Sequence, residues 1–145
     1  MACRLRAQVV LAGRMGPVIF ARFLATSFFA VVFLQSALDK LTDSEGNLGF
    51  MREHFKQSPF PPDSVNLLFW TLTALEASAG ILCGLGVLFL RFRHPGMNVA
   101  SLGLGVSGVA LLALVTGQRF AKDYAGAAVV AAYFAVDLIG LMLFS

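Results

Sequence analysis

Charge is what this sequence has least of. Only 13% of its residues are Asp, Glu, Lys or Arg, against 58% hydrophobic, and its mean hydropathy is +0.79. Soluble domains carry about 25% charged residues, so water is a poor solvent for most of this chain. Cysteine is almost missing too. Cys3 and Cys83 stand far apart with no CxxC or Cys/His spacing, which removes the basis for a disulfide framework or a zinc site. Cys83, inside an apolar run, reads as a small packing residue. The two histidines, His54 and His94, lie outside the long apolar runs. A haem held between spanning helices is therefore not expected, and His94 reads as a solvated turn residue. There is no G-x-S-x-G, no H-E-x-x-H and no phosphate loop. Period-two alternation is also lacking, which excludes a strand-built barrel. No basic stripe survives outside the flanks of the apolar runs, so nucleic acid is not an expected partner.

What is present is four long apolar stretches rich in Ala, Leu and Gly. A membrane-spanning helix needs about 20 such residues. The expected fold is all-α: an integral membrane four-helix bundle in a lipid bilayer, with a short interfacial helix between spans one and two. The spans are placed at about 17–41, 65–90, 97–118 and 124–144, making one domain over 17–145. Residues 1–16 read as a basic cytoplasmic tail carrying Arg4, Arg6 and Arg14, with Met15 as an alternative start. The apolar stretch Val9 to Ala12 is too short for a signal-peptide core. Pro17 suits the first turn of span one.

The only sizeable hydrophilic stretch is 42–64. Ser44 or Asn47 is expected to cap a short helix there. Phe50, Met51, His54 and Phe55 would share one face, with Arg52, Glu53 and Lys56 on the other, the pattern of a segment lying at an interface. Pro59, Pro61 and Pro62 turn the chain back. Trp70 suits a membrane boundary. A tight basic turn is expected over 91–96, and the register Ser101, Gly105, Gly108 permits close helix approach in span three. Lys and Arg number six at the end holding the N-terminus (Arg22 included) and five at the other. By the positive-inside rule this slight bias favours both termini in the cytoplasm of a multi-pass cell-membrane protein.

Three charges interrupt the apolar runs: Arg22, Glu76 and Asp137. Ionisable groups at membrane depth are costly and turn toward a protein interior and a partner. Counting residues at about 1.5 Å rise each puts Arg22 and Asp137 at similar depth, with Glu76 a turn or two further out. The expectation is a buried polar cluster in which Arg22 pairs with Asp137, and Glu76 is protonated or shares the guanidinium. Three readings stay open: polar glue that fixes helix register, a ligand-facing or proton-handling site, or an Arg22 that merely snorkels to the headgroups. At the outer mouth, Asp39 and Lys40 close span one, and Gln35 and Ser36 lie one turn below as polar lining. Asp39 and Lys40 are either an interfacial anchor pair or, with Lys40 above Glu76, a point of contact for an anionic ligand or a quinone carbonyl. No metal site is expected.

Three segments carry a family likeness. FLQSALDKLTDSEGNLGFMREHFKQSP resembles the end of the first span in the DoxX family of small four-helix membrane proteins, with Arg22 and Lys40 at the matching positions. ALEASAGILCGLG is similar to that family's Glu-x-x-x-Gly core, which falls on Glu76 and Gly80. GQRFAKDYAGAAVVAAYF resembles the end of a bacterial DoxX branch. The likeness covers about residues 17–144. It implies a place beside a membrane redox complex, with a quinone as ligand, no covalently bound cofactor, and other membrane proteins or further copies of the chain as partners. Three functions follow as expectations: an accessory or quinone-adjacent subunit of such a complex, a non-catalytic structural or assembly bundle, and a small-solute permeation path. The last ranks lowest, because four short helices leave little room for alternating access.

Overall fold

The apolar runs fold as four long helices, seen in a computed structural model that describes residues 2–56, 58–59, 61–90 and 94–145, with side chains from residue 16 onward except at 62, 94 and 95. Helix α1 is Ala2–Thr42, α2 is Ser44–His54, α3 is Pro62–Phe89, α4 is His94–Phe120 and α5 is Tyr124–Met142. Among the described residues there is no strand. Four stretches are long and apolar enough to cross a membrane: Gly16–Thr42, Asp63–Phe89, Gly96–Phe120 and Tyr124–Met142. They match the expected spans within a few residues.

The helices run alternately up and down. α3 packs against α1 and α4, α4 against α5, and α5 returns to α1, so the bundle closes as α1–α3–α4–α5 while α2 leans on α3. The end with α2 and the α4–α5 turn is called the α2 end below, and the opposite one the terminal end. Leu24, Val31, Leu67, Ile81, Leu88 and Ile139 point outward and are exposed. Such residues are at home against acyl chains, and they contribute nothing to holding the helices to each other. Cohesion comes instead from an interior of Phe29, Phe33, Ala79, Cys83, Leu104, Ala110 and Leu111 and from polar links. Hydroxyls inside the spans turn back on their own helices: Thr26 donates to the Arg22 carbonyl, Thr73 to Phe69 and Ser107 to Gly103. This satisfies them without water.

At three places the structure departs from the local signals. Pro17 lies inside α1 rather than in its first turn, because the helix extends back to Ala2 through the residues expected to be a tail. A proline is tolerated inside a spanning helix more readily than in a soluble one. The cap of α2 is Asp43, not Ser44 or Asn47. Its carboxylate accepts from the Gly46 N–H at 3.0 Å, the charge-favoured arrangement at a helix N-terminus. Asn47 instead donates to the carbonyls of Asp39 and Asp43, which binds α2 to the end of α1. In α4 the close approach uses Gly103, not Gly105. A Cβ on Gly103 would lie 2.7 Å from the Cys83 backbone nitrogen, whereas one on Gly105 would meet nothing within 4 Å. The basic turn at 91–93 falls outside the described residues, as do the side chains of residues 1–15 and of His94.

The α4–α5 turn carries Lys122 at φ 61°. For a residue with a Cβ this left-handed conformation is unfavourable, and glycine adopts it freely. Lys122→Gly is expected to raise stability by about 0.5–1 kcal/mol, and Lys122→Val to lower it. Thermal unfolding of the two variants in detergent checks the sign.

Candidate functional site

The polar centre that forms is not the expected trio. Glu76 on α3 is 1% exposed, and its Oε2 accepts from Lys40 Nζ at 2.6 Å and from the Ser36 hydroxyl at 3.1 Å. Lys40 also donates to Ser36 Oγ at 2.8 Å. The three side chains close a triangle between α1 and α3. Ser36 and Lys40 are i, i+4 neighbours on one face of α1, which is why both reach the same carboxylate.

Arg22 takes no part in it. Its Nε donates to the Leu143 carbonyl at 2.6 Å, and its guanidinium lies 5.2 Å from the centre of the Phe144 ring. It therefore serves the C-terminal end of α5, where carbonyls lack helical partners and the dipole favours a cation. The expected Arg22–Asp137 pair is not made. Asp137 is fully buried, and among the described residues neither of its oxygens has a hydrogen-bond partner.

The side-chain directions explain both outcomes. In a helix every Cα–Cβ bond tilts toward the N-terminus. Lys40, near the end of α1, is thus aimed back toward the middle of the bundle. Glu76 sits on the antiparallel α3 and leans toward the α2 end, so the two approach each other. Arg22 leans toward the terminal end while Asp137, on α5, leans toward the α2 end, so these two diverge.

Of the remaining mouth residues, Asp39 and Gln35 are exposed and neither lines the cleft described next. Asp39 and Lys40 do not act as a pair: successive helix positions point apart, and only Lys40 turns inward. The Asp39 backbone carbonyl is the useful group, accepting from Asn47 and from the Asp43 N–H.

Lys40 opens onto a cleft of about 780 Å³ between α2, α3 and α4. The volume falls within the range of small-molecule sites, which are mostly apolar with a few placed polar groups. Phe69, Leu72 and Leu75 of α3 and Leu112 and Gly117 of α4 form its floor. The roof is the expected face of α2: Phe50, Met51, His54 and Phe55 line the cleft, while Arg52, Glu53 and Lys56 are exposed on the far side. Gly117 admits the Phe55 ring, since a Cβ there would sit 3.3 Å from it. His54 stacks on Phe50 at 5.7 Å and approaches the Asp123 carboxylate at 3.8 Å. Asp123 itself caps α5 through the Gly126 N–H, so this contact ties the roof to the α4–α5 turn. Gln118 also lines the cleft, and its buried Oε1 has no partner among the described residues.

Lysine carries three N–H donors. Two of those on Lys40 go to Ser36 and Glu76, which leaves one for an acceptor in the cleft. Glu76 orients that ammonium and stands within one proton transfer of it. The arrangement suits an apolar molecule bearing an oxygen acceptor.

No family model, curated protein or solved structure matches the chain. The four apolar helices make it a multi-pass membrane protein.

One of the two sequence readings of Lys40 placed it above Glu76, and helical spacing set the apolar face of α2, expected at an interface, that roofs the cleft. Sequence reasoning missed Ser36 as the bridging hydroxyl, the His54–Asp123 contact and the open acceptor on Gln118. The i, i+4 spacing of Ser36 and Lys40 was the available signal for the first. The other two depend on the fold bringing distant turns together.

Proposed function

We propose that the chain is a quinone-binding accessory subunit of a membrane redox complex in the cell membrane, with both termini in the cytoplasm. The observation that carries this is the buried Lys40–Glu76 pair facing an apolar cleft of quinone size. The DoxX likeness of the residues around Arg22, Lys40, Glu76 and Gly80 supports the same reading. The free N–H of Lys40 donates to one ring oxygen, and the apolar floor holds the ring and the start of its tail. A partner protein delivers electrons. Lys40 gives one proton to a reduced ring oxygen, its N–H bond breaking as the O–H bond forms, and water at the mouth of the cleft returns a proton to the amine while Glu76 holds it in place.

Trp70 is the sole tryptophan, and its ring lies 5.2 Å from that of Phe69 on the cleft floor. Quenching of its fluorescence by a short-tailed quinone gives the binding curve. A charged hydrogen bond contributes about 1.5–3 kcal/mol, so Lys40→Met is expected to weaken binding by about tenfold or more. Glu76→Gln keeps the shape of the triangle and is expected to lower quinone-linked activity of native membranes at unchanged protein abundance. Unchanged binding and activity in both variants defeats the proposal.

A second reading rests on the same pair. Because it joins α1 to α3, it also fits a structural bundle that assembles partners without chemistry of its own. Under that reading Glu76→Gln lowers abundance, and activity falls only in proportion.

A further inference from the structure

The second buried carboxyl lies apart from the cleft. Asp137 is fully buried on the inward face of α5 that also carries Val130 and Gly140. Its Oδ2 approaches α4 at Gly108, where a Cβ would come within 2.8 Å of it. The missing side chain at Gly108 is therefore what gives the carboxyl its room. Beside it, the Cys83 thiol and the Ser107 hydroxyl lie 3.7 Å apart, both fully buried.

Polar glue has partners, and among the described residues this group has none. Ser107 spends its hydrogen on the Gly103 carbonyl, and Thr26, fully buried on α1, spends its own on Arg22. Of the described charged or titratable side chains on the adjoining helices, Glu76 and Lys40 hold each other, Cys83 meets Ser107, Arg119 of α4 lies over the Tyr124 ring at the α2 end, and Asp39 and Asp63 are exposed. Arg22 is engaged at Leu143, about 9 Å further along α5. An ionised carboxylate without donors is very costly in such surroundings. Its neutral form needs no counter-ion, and a proton is the smallest ligand that removes the charge.

We propose that Asp137 is a proton-binding site, exchanging its proton with the aqueous phase at the terminal end of the bundle. The α5 helix ends at Met142, about 8 Å beyond Asp137, whereas the α2 end is more than twice as far. In the exchange one carboxyl O–H bond forms as a hydronium ion gives up its proton and becomes water, and the reverse step restores both. The site is distinct from the Lys40–Glu76 triangle and holds whether or not the cleft takes a quinone. It gives the protein a second function, the loading of a proton inside the membrane.

Infrared difference spectroscopy of the protein in lipid vesicles tests this directly. The expected result is a carbonyl stretch of a protonated carboxylic acid that grows on acidification and fades on return to alkaline buffer. Carbon-13 aspartate shifts that band and separates it from Glu76, and deuterated buffer shifts it by exchange. Asp137→Asn abolishes it and Glu76→Gln leaves it. If Asp137→Asn does not fold, Asp137→Glu moves the band from the aspartate label to a glutamate label. A band unaffected by the aspartate label, one that ignores buffer pH, or one replaced by a carboxylate signal that follows sodium or potassium concentration overturns the proposal.

Discussion

Lys40→Met is expected to destabilise the bundle by about 3–5 kcal/mol, the cost of leaving one partner of a buried ion pair alone. Glu76 is 1% exposed beside Lys40, so its carboxylate is left in largely apolar surroundings once the ammonium is gone. Ser36 alone then faces the carboxylate, with one O–H where two donors had been. Hydrogen bonds between neutral groups in spanning helices are worth less, averaging about 0.6 kcal/mol, because separated helices in a bilayer find substitute partners. A carboxylate in hydrocarbon has no such substitute, and the charge term decides. The double variant Lys40→Met, Glu76→Leu removes both charges and fills the space with apolar atoms, so most of the loss is expected to return. Denaturant titration of the four proteins in mixed micelles completes the cycle. Additive losses would show that the pair is not coupled, and the α1–α3 link would have to lie elsewhere.

The spans were legible because the bilayer imposes one simple demand, about 20 apolar residues per crossing, and the sequence meets it four times. Phe50, Met51, His54 and Phe55 were legible as one face because helical periodicity alone assigns them. The cap of α2 was not, since Asp43, Ser44 and Asn47 all qualify by residue type and only the local backbone decides among them. Nor was the inner part of α1. A proline after a glycine reads as a helix start, while the structure carries the helix through it.

The pairing of charges shows where depth counting stops. Arg22 and Asp137 have similar depth on paper, and a cation and an anion inside apolar runs invite a bond between them. Depth fixes the height of a Cα atom and says nothing of where the side chain leads. Lys40 sits at the rim by residue count, yet its four-carbon stem runs back toward the bundle centre and reaches Glu76. Arg22 leans the other way and finds the carbonyl of Leu143. Adding the direction of the Cα–Cβ bond to the count separates the two cases without any structure, given the alternating run of the helices. Asp137 differs: its isolation depends on Gly108 and on hydroxyls that are satisfied by their own helices, and no pattern of spacing reveals that.

Gly103→Val is expected to cost about 3 kcal/mol, at the upper end of what overpacking does to a tight core. Its Cβ would stand 2.7 Å from the Cys83 backbone nitrogen and 2.9 Å from Cys83 Sγ. Backbone cannot rotate away as a side chain does, so α3 and α4 must separate along that seam. Gly86→Val meets the same obstacle from the other helix, 2.6 Å from the Ala100 Cα, and is expected to behave alike. Parting these helices breaks the Cys83–Ser107 contact and disturbs the α3–α4 floor of the cleft, so the quinone binding proposed above is expected to fall with stability. Gly105→Val supplies the contrast. With nothing within 4 Å of its Cβ, its effect is expected within about 0.5 kcal/mol. Folding measured in detergent separates the three variants. If Gly105→Val proves as harmful as Gly103→Val, then Gly105 meets a helix from outside this chain, and a second copy or another membrane protein lies against that face of α4.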